Sequence, residues 1–126
     1  MLYQYRLLTT NKFMNMKKFL FLFLLALLPM MASADSRGEC GSNLKWTFVE
    51  ATQTLTISGT GEMFNYHYSY GGAPWDSFRS SINTLIIEDG VTSIGKYAFY
   101  NCTSLTSVTI PNSVTSIAES AFEGCI

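Results

Sequence analysis

The stretch LIIEDGVTSIGKYAFYNC (85–102) returns later in the chain as VTIPNSVTSIAESAFEGC (108–125). The two segments carry the same residue at eight of eighteen positions, and most of the shared residues are apolar. Self-similarity at a fixed period of about 20 to 50 residues is typical of repeat proteins, in which each unit stacks on its copy. The sequence therefore predicts a solenoid.

Each copy contains two short extended stretches separated by a turn. The pattern L-x-x-V-x-I from Leu105 ends in the alternation expected of a strand with one buried face. Turns are predicted at 88–90 and 111–113, and Val-Thr-Ser-Ile forms the second extended stretch of both copies. The Ala-Phe pair that follows predicts a short helical or 3₁₀ turn, with Phe99 and Phe122 filling the interior. One unit buries too little apolar surface to fold alone, so the expected fold is a mainly β solenoid of stacked repeats.

The motif VTIPNSVTSIAESAFEGC and its earlier copy resemble the BspA-like leucine-rich repeats of large secreted and surface proteins from host-associated bacteria. Upstream, GECGSNLKWTF, TLTISGTGEM and APW are similar to the N-terminal cap of that family, so that the resemblance covers 38–126. It implies a leucine-rich-repeat solenoid that binds other molecules, by adhesion to host matrix or to other microbes, rather than an enzyme.

Residues 35–81 are predicted to form this cap, and 82–126 to form two repeats. Apolar and polar residues alternate in KWTFV and again in TLTIS, with a turn near Gln53 between them, which predicts a β-hairpin. The hairpin would cover the first repeat, and Trp75 would pack onto it. Because the pattern would continue past Ile126, we expect a C-terminally truncated product whose missing part holds further repeats.

The N-terminal region 1–34 predicts export. From Met16 the chain has two lysines, an unbroken apolar run, and then the small residues Ala-Ser-Ala at 32–34, the three parts of a secretory signal peptide. The apolar run is too short for a membrane span, which needs about 20 apolar residues. Translation is expected to start at Met14 or Met16. The predicted location is secreted or cell-surface, after export by a Sec-type signal.

Charge and cysteine content exclude several classes of function. From Asp35 onward, four Lys and Arg oppose nine Asp and Glu, a net charge of −5 that disfavours nucleic acid. The odd number of cysteines cannot all pair within the chain. Cys102 and Cys125 occupy equivalent repeat positions, and parallel stacking favours two buried free thiols over a disulfide. No metal site and no cofactor are expected.

No catalytic motif accompanies the single histidine. His67 could serve as a base for Cys40 or for a serine, but nothing in the sequence fixes such a pair, and the usual nucleophile and metal-protease motifs are missing. A loop histidine without catalytic function is the favoured interpretation. The protein is therefore not expected to be an enzyme.

Two groups of residues are candidates for protein binding. If Leu85 and Ile87 point inward, the other strand residues form an outward ladder suited to broad protein contacts, although Ser and Thr would also simply favour strands and solubility. Tyrosines in the cap loop alternate along the chain, so that some would be exposed and available as rigid contact surfaces. The candidate residues are Thr84, Ile86, Glu88, Ser107 and Thr109 on the strands, and Tyr66, Tyr68 and Tyr70 in the loop.

The predicted function is that of an exported binding module, contacting host-matrix or microbial surface proteins. The alternatives are the N-terminal part of a longer exported protein with a separate hydrolase or anchoring domain, and a gene fragment without function. Continuation of the same period downstream favours the binding module, and a new catalytic motif downstream favours the longer protein with a separate domain. The oligomeric state is not predicted.

Overall fold

The computed structural model describes residues 35–126, so the predictions of a signal peptide and of the start codon lie outside the described residues. Eight strands and one 3₁₀ helix follow one another along this part of the chain. They form a five-stranded sheet in the order β1-β2-β3-β5-β7 and a three-stranded sheet in the order β4-β6-β8. The elements are β1 (Ser36–Glu39), β2 (Leu44–Val49), β3 (Thr54–Gly59), β4 (Gly61–Glu62), η1 (Asp76–Ser81), β5 (Thr84–Ile87), β6 (Val91–Ile94), β7 (Ser107–Thr109) and β8 (Ser116–Ile117).

The period of the sequence becomes the register of both sheets. In the larger sheet β5 pairs with β7 in parallel, with Leu85 opposite Val108. In the smaller sheet β6 pairs with β8 in parallel, with Ile94 opposite Ile117. Equivalent apolar residues therefore lie one strand spacing apart, about 4.8 Å, as the predicted leucine-rich-repeat solenoid requires.

The predicted β-hairpin is present, and a third strand extends it. β2 and β3 pair antiparallel, and the connecting turn places Gln53 at a φ of 52°. β1 adds a third antiparallel strand on the far side of β2. Gly38 of β1 lies against the Trp46 ring, where an added Cβ would approach Nε1 to 2.8 Å, so the tryptophan can pack beneath this strand only because the residue is glycine.

The hairpin also supplies one layer of the solenoid; each such layer, which stacks on the next, is called a rung below. β3 pairs in parallel with β5, with Leu55 opposite Leu85, and β4 pairs with β6. Three aromatic rings continue this stacking: Trp75 lies on Phe99 with ring centroids 5.4 Å apart, and Phe99 lies on Phe122 at 5.2 Å. Trp75 is buried, as predicted, and its indole Nε1–H donates to the Ala98 carbonyl at 2.7 Å.

The Ala-Phe segments form tight turns rather than the predicted helical or 3₁₀ turns. Tyr97 and its equivalent Ser120 adopt φ values of 53° and 55°, which a right-handed helix does not allow. In this conformation alternate amides face the next rung: the N–H of Phe99 donates to the Ala121 carbonyl at 2.8 Å. The amides between them bond within the turn, as the N–H of Ala98 does to the Gly95 carbonyl at 3.3 Å, so bonds between rungs alternate with local ones where a helix would make local bonds only. The 3₁₀ helix η1 lies earlier, directly before the first repeat.

Burial decreases from the first repeat to the second. Leu85 is fully buried, whereas its equivalent Val108 is 42% exposed, and Ile117 is 52% exposed where Ile94 is buried. Each rung is covered by the one that follows it, and no described residue stacks on the second repeat. The core therefore centres on the cap and the first repeat.

Candidate functional site

The outward face of the larger sheet contains the predicted strand residues. Thr84 and Ile86 of β5 are half-buried and lie opposite Ser107 and Thr109 of β7, which are exposed. Glu88 follows β5 and is exposed. Because the inward residues between them are buried in β5, the alternation predicted for this strand is confirmed.

The cap extends this face, which the sequence analysis missed. Thr54 and Thr56 of β3 lie opposite Thr84 and Ile86 and share their outward orientation. A signal for this rung does exist, because TLTI at 54–57 repeats the pattern of TLII at 84–87. Its spacing is wider than the period of the two repeats, so a comparison at that period does not find it.

Charged residues lie at the cap end of the same face. Lys45 of β2 is exposed and pairs in register with Glu39 of β1, while Arg37 pairs in register with Thr47. The face thus carries charged side chains along β1 and β2 and mainly hydroxyl side chains from β3 onward. We name it the strand face, and its repeat part consists of Thr84, Ile86, Glu88, Ser107 and Thr109.

The tyrosines of the cap loop have two different environments. Tyr68 and Tyr70 are 61% and 83% exposed, as expected of contact residues. Tyr66 is half-buried, its ring meets Trp75 edge-on at 5.8 Å, and its hydroxyl donates to the Cys40 carbonyl at 3.5 Å. Burial raises its pKa well above the ordinary value. Tyr66 therefore belongs to the packing of the cap, and we do not include it in the binding surfaces below.

Two tyrosines from the first repeat join the exposed rings. Tyr97 and Tyr100 meet edge-on at 5.6 Å, and Tyr68 lies 5.6 Å from Tyr97 and 6.3 Å from Tyr100. His67 stacks on Tyr68 at 5.2 Å and lies 6.2 Å from Tyr70. We name these five residues the aromatic cluster.

A comparison of the two repeat sequences could have identified Tyr97 and Tyr100 as members of the cluster. At the positions of Tyr97 and Tyr100 the second repeat has Ser120 and Glu123, so the repeat fold does not require aromatic residues there. A large side chain at a position that packing does not dictate is a candidate for contact with another molecule.

The cysteine and histidine side chains do not form a nucleophilic pair. Cys40 is fully buried, and burial raises the pKa of its thiol to about 12, so it is a neutral thiol at pH 7 and not a thiolate. The imidazole Nδ1 of His67 lies 2.9 Å from the Ser69 hydroxyl, in the exposed loop. Neither residue has the environment of an activated nucleophile or its base.

Cys102 and Cys125 are free thiols in the structure. Cys102 is buried, and burial raises the pKa of its thiol to about 12; it also raises the pKa of Cys125. The Cys125 thiol donates to the Phe99 carbonyl at 3.1 Å. Within residues 35–126, no three His, Cys, Asp or Glu side chains converge as metal ligands. The helical part of the same range has no segment that is both long and apolar enough to cross a membrane.

The stacked parallel strands and their repeating register define a leucine-rich-repeat protein. The family model of the BspA type leucine rich repeat region (6 copies) matches residues 76–126. A leucine-rich repeat protein from Eubacterium ventriosum, known from a crystal structure, is similar over 73% of this chain, with 34% identity and a TM-score of 0.66. The chain spans 24% of the length of that protein. A search of curated proteins gives no match. Through its repeats, the chain belongs to the BspA-like leucine-rich-repeat family.

Proposed function

We propose that this chain is an exported module that binds proteins of host matrix or of microbial surfaces through its strand face. The observation that supports it most is the outward orientation of hydroxyl side chains on successive parallel strands, with Thr54, Thr84 and Ser107 in one row. Stacked strands of this kind offer an extended ladder of contacts without a pocket. Leucine-rich-repeat domains typically bind proteins, which agrees with this use.

The strand face has the further property that it grows with the number of repeats. Each added repeat places one more strand beside the last at about 4.8 Å, and the family model describes six copies. A surface of this kind can reach the size that a stable protein interface needs, about 800 Å² per partner, by repetition alone.

Export is the second part of the proposal, and it rests on the sequence from Met16 to Ala34. Cell fractionation of a strain expressing the full chain should place it outside the cytoplasm, cleaved after Ala34. Deletion of 16–34 should keep it inside the cell. Retention of the intact chain inside the cell would contradict export without affecting the binding proposal.

Charge substitution on one strand tests the binding surface. Thr109→Lys places a long charged side chain on the proposed contact surface, and we expect binding of the purified chain to immobilised host-matrix or microbial surface proteins to fall about tenfold. Ser116→Lys is the matched control, because Ser116 is also exposed but lies on β8 of the other sheet. Equal losses in both variants, or none in either, would refute the strand face as the binding surface.

A further inference from the structure

An insertion in the cap produces the loop of the aromatic cluster. Gly61 and its strand partner Val91 are 30 positions apart in the sequence, whereas Trp75 and the Phe99 ring on which it stacks are 24 positions apart. Compared with the first repeat, the cap therefore has six additional residues between Gly61 and Trp75. They form part of the exposed loop 64–72. Stacking of the rungs does not require this loop, and it carries aromatic residues at alternate positions.

The backbone at Tyr97 supports a function for the ring rather than for the fold. Its φ of 53° lies in the left-handed region, where bulky residues are outliers, while the equivalent position in the second repeat has a small serine. Ser120 has the same conformation, with a φ of 55°, so the turn sets this backbone and does not need an aromatic side chain. Here the strained residue directs its ring toward Tyr68 and Tyr100.

We propose that the aromatic cluster is a binding site for a neutral oligosaccharide. Its rings offer apolar faces on which the C–H face of a pyranose can stack, and the phenol groups offer a polar rim for the sugar hydroxyls. Among residues 35–126, no hydrogen bond occupies the phenols of Tyr68, Tyr70, Tyr97 and Tyr100, so these donors and acceptors remain available.

Charge selects a neutral glycan over an acidic one. The chain from Asp35 onward has a net charge of −5, which repels sulfated and uronic acid polymers. The cation next to the cluster, Lys96, is engaged by Glu119 at 3.2 Å. In the described part of the chain, no basic surface therefore accompanies the rings, as an anionic ligand would need.

The area of the cluster fits a short oligosaccharide better than a protein. At about 200 Å² per fully exposed ring, Tyr68, Tyr70 and the exposed parts of the other three side chains present roughly 400 to 500 Å². A standard protein interface takes about 800 Å² from each partner. Unlike the strand face, the cluster cannot grow by repetition, because Ser120 and Glu123 replace its tyrosines in the next repeat.

Contacts between the rings prepare them for binding. Each ring of the cluster lies within 6.3 Å of at least one other, measured between centroids, so the side chains hold one another in place before a ligand arrives. A sugar that binds there has little side-chain freedom to remove, which favours binding.

Calorimetric titration of the full chain with cellopentaose, chitopentaose and maltopentaose tests the site. We expect at least one of them to bind with a Kd between about 10 μM and 1 mM. Tyr68→Ala should weaken that binding about tenfold or more, because Tyr68 contacts three of the other four rings. Tyr68→Phe, which keeps the ring and removes the hydroxyl, should weaken it less.

Two controls keep the outcome specific. Phe64→Ala removes a ring that is 49% exposed but has no ring contact with the cluster, and Thr109→Lys alters only the strand face; neither should change sugar affinity. The proposal is overturned if none of the three sugars binds at about 5 mM, or if Phe64→Ala weakens binding as much as Tyr68→Ala. Loss of protein binding in Tyr68→Ala without any sugar binding would also overturn it and would assign the cluster to a protein partner. The strand-face proposal would survive the absence of sugar binding, because Thr109→Lys and Ser116→Lys test it separately.

Discussion

Phe99 is the residue on which the stacked interior depends most. Its side chain is 1% exposed and lies between the rings of Trp75 and Phe122, at 5.4 and 5.2 Å. Phe99→Ala removes the buried ring and leaves a cavity that two large aromatic neighbours cannot easily fill. Substitutions of this kind cost about 3 to 5 kcal/mol, and the loss of two stacked ring pairs places this one toward the upper end.

Urea denaturation measures this cost directly. For an m value of about 2 kcal/mol per M, a loss of about 4 kcal/mol lowers the unfolding midpoint by about 2 M. Phe122→Ala is the matched comparison: it makes the same chemical change at the equivalent position, where the ring is half-buried and contacts one ring instead of two. We expect it to cost about half as much. Thr109→Ala, on the outward face, should cost less than about 1 kcal/mol.

The order of the three effects tests the stacking of the rungs. If Phe99→Ala and Thr109→Ala lower the midpoint equally, the interior does not lie where the register of the repeats places it. If Phe122→Ala costs as much as Phe99→Ala, burial does not decrease from the first repeat to the second, and the rungs are not stacked in the order described.

Two further predictions concern the backbone and the buried thiols. Tyr97→Gly should change the unfolding free energy by less than about 1 kcal/mol, because relief of the left-handed strain offsets the lost ring contacts, whereas Tyr97→Val should cost about 2 kcal/mol; similar chemical-denaturation midpoints for both would argue against strain at this position. Burial raises the thiol pKa of Cys102 from 9.0 to about 12, so the folded state holds this proton more tightly than the unfolded state. The stabilisation is complete below pH 9 and is lost as the pH rises from 9 toward 12, by up to about 1.4 kcal/mol per pH unit. Cys102→Ala should make the alkaline decrease in unfolding free energy shallower, and an unchanged slope would contradict the buried thiol.

The repeat made much of the fold predictable from sequence. A fixed period determines both which strands pair and which residues face inward, so the register between Leu85 and Val108 follows from the sequence alone. The hairpin was predictable for a different reason, since alternation on both sides of a short turn is a local signal.

The cap rung and the aromatic cluster were harder to predict, because both depend on contacts between segments with no common period. The insertion before Trp75 widens the spacing between β3 and β5, so a search at the period of the repeats passes over their pairing. Tyr97 and Tyr68 meet although they belong to different rungs, and no local pattern marks that contact. Left-handed backbone at Tyr97 and Ser120 likewise contradicts the usual preferences of these residue types, which is why the Ala-Phe turns were predicted as helical.

The antiparallel pairing of β2 with β3 also has a consequence for the order of folding. A short connection, 50–53, joins these two strands, whereas β3 ends at Gly59 and its other partner β5 begins only at Thr84, so closing the hairpin costs less chain entropy. Isolated hairpins form in about 1 to 10 μs, ahead of contacts between distant segments. The hairpin is thus expected to serve as a template on whose free edge the repeats assemble one after another, in the direction in which the ribosome synthesises them.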